Sequence, residues 1–385
     1  MAPPTHEPER IAYLDNAATT PLRAEALEAM LPFLTGRFGN PSGGHRVARD
    51  ARLALDEARD EVADVLGCQP GEVVFTAGGT EADNLAVLGV VAARGGTAVC
   101  PAAEHHAVLH AVHAVGGRVV GTGPDAAVDL EQLAAALDDL RGQVAVVSAM
   151  TANNEVGTLT PLAEVAAVVA ERAPGAALHT DAVQAAGWCD LRALAAPAAL
   201  VSVAAHKLGG PKGVGCLVVR AGTPLRPLLH GGGQERDRRS GTQDVAGVVG
   251  FATALRLAAE ERVEAGARAG ALRARLLTRL EGEVGRVVAS VPLERALPGH
   301  LHVRIEGCEG EALLVLLDDA GVCASAGSAC ASGAVEPSHV LLAMGVPKAE
   351  ALTSLRLSIG RATTVADVDA AADAVAAAAA RLRAG

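Results

Sequence analysis

From residue 73 onward, short Val-rich runs at 73–75, 97–100, 118–121, 144–148, 177–179, 200–204 and 216–219 alternate with longer helical patterns. Strands alternating with helices imply an α/β fold with a mainly parallel sheet of seven strands covered on both faces, since each helix must bury its apolar stripe somewhere. The seventh run follows the sixth after too short a turn for a parallel crossover, so it is expected to be antiparallel. Ligands in such sheets bind beyond the carboxyl ends of the strands, which makes the segment after each run a candidate site.

One of those segments, AHKLGGPKGVG at 205–215, carries Lys207. The chain has thirty arginines but only three lysines, Lys207, Lys212 and Lys348, so lysine is unusual wherever plain positive charge would serve. Arginine stays protonated, whereas a desolvated lysine can lose its proton and attack a carbonyl carbon. Lys207 is therefore a candidate imine former, delivered by the buried run before it and turned by Gly209, Gly210, Pro211 and Gly213. The alternative is a surface loop whose lysine only solvates.

Other segments carry chemistry at equivalent places. Thr76-Ala77-Gly78-Gly79-Thr80-Glu81 opens a helix expected at 81–93; Gly79 and the Thr80 hydroxyl there suit a phosphate, or Thr80 is an ordinary helix cap. His105 stands at a strand-to-helix boundary. His106, His110 and His113 share one helix face, but no acidic or cysteine partner lies nearby, so no metal is expected. Asn153-Asn154-Glu155-Val156-Gly157 and Asp181-Ala182-Val183-Gln184 follow the fourth and fifth runs. An aspartate at a strand end beside an imine-forming lysine can hold a pyridine nitrogen protonated, turning the ring into an electron sink. The stretch 231–242 brings three arginines and ends at Ser240-Gly241-Thr242, a plausible anion loop. Residues 323–333, CASAGSACASG, are small enough for Cys330 to be exposed and mobile, though a buried structural cysteine fits too.

At 385 residues the chain is long enough for two lobes. Half of it is apolar but only six residues are aromatic, so Ala, Val and Leu must fill the core. Helices are expected at 23–34, 45–66 and 245–280, the last long enough to bridge two lobes, and the remainder reads as strand, strand, helix, strand and helix, a small α+β lobe. The formal charge of −11 disfavours nucleic acid and anionic membrane surfaces. The longest apolar stretch, 193–205, is interrupted by Pro197 and too short to cross a bilayer, and the first ten residues do not look like a secretory signal; a cytoplasmic location is expected. Seven cysteines without CxxC spacing argue against a disulfide framework and a structural zinc site. Cys100 and Cys216 read as small core hydrophobes.

Taken together and in order, the motifs from Tyr13-Leu14-Asp15-Asn16-Ala17-Ala18-Thr19-Thr20-Pro21 to Leu355-Arg356-Leu357-Ser358-Ile359-Gly360-Arg361 resemble the cysteine desulfurases of the NifS/IscS type, group I, within the fold-type I pyridoxal-phosphate enzymes. The resemblance implies a large cofactor-binding domain at 15–261 and a small domain formed by 1–14 and 262–385. It implies that Lys207 binds the aldehyde of pyridoxal 5'-phosphate, His105 stacks on the ring, Asp181 pairs with the pyridine nitrogen and Gln184 with the phenolic oxygen. Gly79, Thr80 and His206 would hold the phosphate, with Thr242 contributed by the second subunit of a homodimer. Asn154, near the cofactor, and Arg356 would receive the carboxylate of L-cysteine. Cys330 would be the nucleophile that takes the sulfur as a persulfide, releases alanine and serves an acceptor protein, an iron-sulfur scaffold or a thiolation protein.

Three positions depart from the family's pattern: Ala204 where serine supplies a phosphate-binding hydroxyl, Asp237 where glycine is usual, and Gly43 where serine is usual. Two rival readings remain open on the sequence. One is another enzyme of the same fold, such as a selenocysteine lyase or an aminotransferase, against which the Cys330 loop argues. The other is a sulfur-relay scaffold without catalysis, against which the intact Lys207, Asp181, His105 and Cys330 argue.

Overall fold

A computed structural model describes residues 11–326 and 336–384 and divides into two compact units. The larger comprises Thr19–Asn154 and Thr158–Val263; the smaller holds the described residues of Met1–Ala18, Glu155–Gly157 and Glu264–Gly385. In chain order the described residues form β1 (Ala12–Tyr13), α1 (Ala24–Leu34), α2 (Arg46–Leu66), β2 (Val73–Thr76), α3 (Gly79–Arg94), β3 (Thr97–Pro101), α4 (His106–Ala114) and β4 (Arg118–Val120). There follow α5 (Leu130–Leu140), β5 (Val144–Ser148), α6 (Leu162–Arg172), β6 (Ala177–Asp181), α7 (Leu191–Leu194), β7 (Leu200–Ala204), β8 (Gly215–Val219) and α8 (Val245–Glu283). The chain closes through β9 (Val287–Ala289), β10 (His300–Ile305), α9 (Gly310–Asp319), β11 (Val322–Cys323), α10 (His339–Ala343), α11 (Lys348–Ala351), β12 (Ser354–Ser358) and α12 (Val365–Ala384).

The larger unit is built on one seven-stranded sheet in the order β2-β8-β7-β6-β5-β3-β4. As expected, β8 is the antiparallel strand; it opposes both β2 and β7, while the other neighbours are parallel. Since β2 and β7 both oppose β8, they run the same way, and six strands bring their carboxyl ends to one edge. Every residue of β5, β6, β7 and β8 is buried, which explains why these runs read as continuous valine-rich blocks rather than alternating ones. Helix α3 places Leu85, Ala86 and Val90 in a core cluster with Val74, Val146, Leu200 and Leu217. No helix among the described residues is long and apolar enough to cross a membrane.

The loop after β8 is less ordinary. Glu235, Arg236 and Asp237 all have left-handed backbone, with φ of 49°, 58° and 62°, which costs an L-residue roughly 1–2 kcal/mol apiece. What over-determines the turn is Glu235, 5 % exposed. Its carboxylate accepts from Arg59 Nη1 and Nη2 at 2.8 and 2.9 Å, from the Phe75 amide at 3.0 Å and from Gln243 Nε2 at 2.9 Å. Arg59 also lies over the Phe75 ring, 4.6 Å from its centre. Asp237, at a position where the family uses glycine, shows why: the position is left-handed, and aspartate tolerates that region better than most residues.

The smaller unit contains a three-stranded antiparallel sheet, β12-β10-β9, and a parallel pair, β1-β11. The expected series of strand, strand, helix, strand and helix corresponds to β9, β10, α9, β12 and α12, and a short strand read from the sequence at 12–14 corresponds to β1; β11 and the short α10 and α11 escape a reading by periodicity because they span two to five residues. The unit boundaries also differ from those expected at 15–261 and 262–385. Asn16 Nδ2 and the Ala17 amide both bind Ser358, at 2.8 Å each, which draws 15–18 into the smaller unit. Gly157, with φ of 81°, packs so close that an added Cβ would lie 2.6 Å from His300 Cβ, which draws 155–157 in as well.

Breaking a buried ion pair leaves an uncompensated charge. Glu235→Ala is expected to lower unfolding free energy by about 3–5 kcal/mol, against a far smaller loss for Asp50→Ala, whose pair with Arg37 is exposed on both sides. Urea denaturation of the two variants checks this, and equal losses would refute the special role of Glu235.

Candidate active site

The carboxyl edge of the large sheet carries several of the residues singled out in the sequence, Lys207 and Asp181 among them. Strand β7 ends at Ala204 and runs into a single 3₁₀ turn, Ala205–Lys207. Lys207 is half-buried there, whereas Lys212 and Lys348 are exposed. The small, polar segment at 19–23 braces this turn. Thr20 Oγ1 donates to the His206 carbonyl and accepts from the Gly209 amide, both at 2.8 Å, and Arg23 Nε donates to the Leu208 carbonyl at 3.0 Å. Gly209, with φ of 81°, leaves room for Arg23, whose Cγ would lie 2.5 Å from an added Cβ. His206 Nδ1 meets Thr19 Oγ1 at 3.1 Å. Burial, with Lys207 and Lys212 nearby, pushes the His206 pKa down to about 4, so its ring is neutral at physiological pH.

Asp181 proves to be the last residue of β6 rather than a residue beyond it, and it is buried. One carboxylate oxygen accepts from the Val183 amide at 2.8 Å. Burial raises its pKa, while His105, the Val183 amide and Lys207 oppose the rise. Two further buried acids in this region were not anticipated. Asp83, on α3, lies 3.6 Å from His179 Nε2 and hydrogen-bonds Ser202; burial and the Asp181 charge drive its pKa far up. Glu104, wholly buried, accepts from the Met150 amide at 2.6 Å, and burial followed by Asp181 pushes its pKa up to about 8. Burial pushes His179 down to about 3, so its contact with Asp83 is no ion pair; its two nitrogens meet Ser148 and Ser202 hydroxyls at 2.8 and 2.9 Å. Glu104 thus holds its proton at neutral pH and burial pushes Asp83 the same way, whereas Asp181 is the acid of the three whose rise is opposed by His105 and Lys207. Nothing in the sequence marked either as inward-facing: Thr80, three residues earlier on α3, is exposed while Asp83 is buried.

His105 Nδ1 accepts from the Ala107 amide at 3.1 Å and caps α4, which leaves Nε2 to carry the hydrogen of the neutral ring. Gln184 is buried and Asn154 half-buried. Helix α3 starts at Gly79, with Gly78 (φ 142°) as its N-cap and no side-chain cap. Thr80 is therefore not the cap that an alternative reading allowed; it is exposed at the second helical position. The Ala77 amide is taken by Glu81, which Arg239 holds at 2.8 Å. Ala204 lies beneath this terminus, its Cβ 3.6 Å from where a Gly79 Cβ would be, and Ser202 cannot serve in its place because His179 engages it. His106, His110 and His113 are exposed, and no metal-holding cluster occurs among the described residues. Thr242 is exposed.

In the smaller unit Arg356 sits in the middle of β12, 5 % exposed, with Nη2 2.7 Å from Asp15 Oδ1. Its main chain exchanges hydrogen bonds with Ser325 at 2.6 and 3.2 Å. Cys330 falls in 327–335, outside the described residues. The described flanks of that segment are anchored: Ser354 Oγ donates to the Ala326 carbonyl at 3.1 Å, and Ser338 caps α10 while donating to the buried Glu155.

A buried aspartate whose raised pKa is opposed by a histidine and a lysine, with a glycine-opened helix terminus at the same sheet edge, suits a planar ring bearing an aldehyde and an anionic tail. The class follows: residues 12–371 match the family described as Aminotransferase class-V. The chain is 47 % identical over 97 % of its length to an IscS-like cysteine desulfurase of Mycobacterium tuberculosis, covering 97 % of that protein. It is 40 % identical over 94 % of its length to cysteine desulfurase IscS of Dictyoglomus turgidum, covering 92 % of it. A solved NifS-like protein superposes with a TM-score of 0.88 at 36 % identity, over 96 % of this chain and 99 % of that one. The chain belongs to the cysteine desulfurases of the class-V aminotransferase family, an α/β enzyme rather than either rival left open by the sequence.

A raised carboxyl pKa makes stability depend on pH in a definite direction. Glu104 binds its proton in the folded state up to about pH 8 but releases it near 4.5 when unfolded, so its contribution is fully present below that value and is lost as pH rises to about 8. Glu104→Gln removes the titration while keeping an acceptor for Met150. The variant is expected to gain stability relative to wild type between pH 5 and pH 8, by at most about 1.4 kcal/mol per pH unit. Urea midpoints at the two pH values test it, and a difference independent of pH would contradict a protonated Glu104.

Proposed function

We propose that the protein binds pyridoxal 5'-phosphate at the sheet edge described above and uses it to move sulfur from L-cysteine to Cys330. When bound, the cofactor supplies an aldehyde that exchanges amines and a ring that accepts the electron pair of the substrate's Cα–H bond. Lys207 Nζ would bond the aldehyde and would serve as the base for the proton on the substrate Cα. Asp181 would hold a proton on the ring nitrogen, His105 would stack on the ring and Gln184 would meet the phenolic oxygen. Gly79, Thr80 and His206 receive the phosphate. Asn154 and Arg356 orient the substrate carboxylate. Cys330 Sγ, as thiolate, attacks the cysteine Sγ; the new S–S bond forms as Cβ–S breaks, and protonation at Cβ gives alanine. The observation that carries this reading is Asp181, buried at the end of β6 with one oxygen on the Val183 amide, the acid of the three whose raised pKa is opposed by both His105 and Lys207.

A homodimer is part of the proposal. Helix α1 buries only Ala26, and Leu27, Leu31 and Leu34 with Phe38 beyond it are 43, 48, 59 and 73 % exposed, a stripe at helical spacing that a second copy would cover. Exposed Thr242 would complete the partner's phosphate site. The persulfide then passes to an acceptor protein, an iron-sulfur scaffold or a thiolation protein. Six described cysteines, Cys68, Cys100, Cys189, Cys216, Cys308 and Cys323, are free thiols, which supports a reducing, cytoplasmic setting.

Borohydride treatment of the yellow protein is expected to fix the cofactor to the peptide holding Lys207, and attachment at Lys212 or Lys348 instead would reject the assignment. Cys330→Ser should still change colour with cysteine while releasing no sulfur; normal transfer would point to another thiol. Ala204→Ser restores a hydroxyl beneath the helix terminus and is expected to tighten cofactor binding by up to about tenfold, read by titrating the apo-protein. Unchanged affinity would mean that the phosphate site is already satisfied around alanine.

A further inference from the structure

Arg356 is buried in the small sheet, yet its guanidinium is not left to find its own orientation. Asp15, immediately after β1, accepts from Nη2 at 2.7 Å, with side-chain exposures of 5 % for Arg356 and 21 % for Asp15. Asp15 is itself fixed by its neighbours. It forms a parallel bridge with Ser358, Asn16 Nδ2 donates to the Ser358 carbonyl at 2.8 Å, the Ala17 amide donates to Ser358 Oγ at 2.8 Å, and Tyr13 OH donates to the Asp15 carbonyl at 3.1 Å. Four contacts hold the backbone around one residue, and its side chain is directed at one nitrogen of one arginine. Across β12 and β10, Arg356 pairs in register with His302, whose pKa is pushed to about 3 by burial and by Arg356 and Arg304; that neighbour offers no negative charge.

An arginine fork recognises a carboxylate through its planar geometry, and a long side chain loses about 2 kcal/mol of rotamer freedom when it is held. A site in which the fork is already oriented spends less of the ligand's binding energy on ordering. We propose that Asp15 is the positioning residue of the carboxylate site: by holding Arg356 Nη2 it pre-sets the guanidinium for α-amino acids and makes the protein discriminate against amines that lack a carboxylate. This rests on Arg356 being the group that receives the substrate carboxylate.

The test uses holoenzyme and reads the visible band during titration with L-alanine and with ethylamine, the same molecule without its carboxylate. Asp15→Asn is expected to weaken L-alanine about tenfold, leave ethylamine unchanged, and raise KM for L-cysteine about tenfold with kcat within about twofold. Asp15→Glu, which keeps the charge, should recover the alanine-to-ethylamine preference to within about threefold of wild type, and it carries the test if the asparagine variant does not fold. An unchanged preference in Asp15→Asn, or equal weakening of alanine and ethylamine, overturns the proposal and makes Asp15 a purely structural residue. Arg356→Gln is run beside them: if it weakens alanine while Asp15→Asn does not, only the role of Asp15 fails; if it leaves alanine binding intact, the reading of Arg356 fails and Asp15 falls with it.

Discussion

A carboxylate taken out of water is strongly disfavoured unless something nearby prefers it charged. Three acids are buried at the carboxyl edge of this sheet, and the arrangement sets only Asp181 beside both His105 and Lys207. Asp83 is matched with hydroxyl and neutral imidazole, and Glu104 with backbone amides. The sheet makes this possible because β6, β7 and the segment after β3 end together, so a charge on one strand and an amine on the next turn meet without either residue leaving its own element. The proposed chemistry would draw on that arrangement, since a ring nitrogen holds its proton best beside an anion.

Much of this was legible in the sequence. The seven runs of valine announced the sheet because both its faces are covered, and the antiparallel β8 followed from a turn too short to cross over. Lys207 stood out by rarity, and the braced turn that presents it explains the clustering of Gly209 with Thr20 and Arg23. The acids Asp83 and Glu104 were not anticipated because nothing in a helix or loop sequence says that a polar residue will face inward; only the packing of α3 on β6 and β7 reveals it. The membership of 155–157 in the smaller unit was equally invisible, since it depends on Gly157 meeting His300, far away in the chain.

The loop at 234–243 shows a second way in which sequence and structure exchange roles. A run of three left-handed residues is improbable on local preference, yet the Arg59–Glu235 pair fixes it from inside. Local strain is tolerated there because a buried interaction elsewhere prescribes the path, and a motif such as Gln234-Glu235-Arg236-Asp237 is intelligible only with Arg59 in view.

Gly79 carries a consequence for how this family can diverge. A Cβ there would lie 2.8 Å from Val183 Cγ2 and 3.6 Å from the Ala204 Cβ, and valine, stiff at its branch, cannot easily turn aside. The residues at 79, 183 and 204 therefore form one unit of inheritance. A lineage that gains a methyl at 79 must first trim 183, and one that enlarges 204 does so only while 79 stays bare. Substitutions at these three positions should be read across relatives as joint states, since a methyl tolerated beside a smaller residue 183 would be overpacked beside valine.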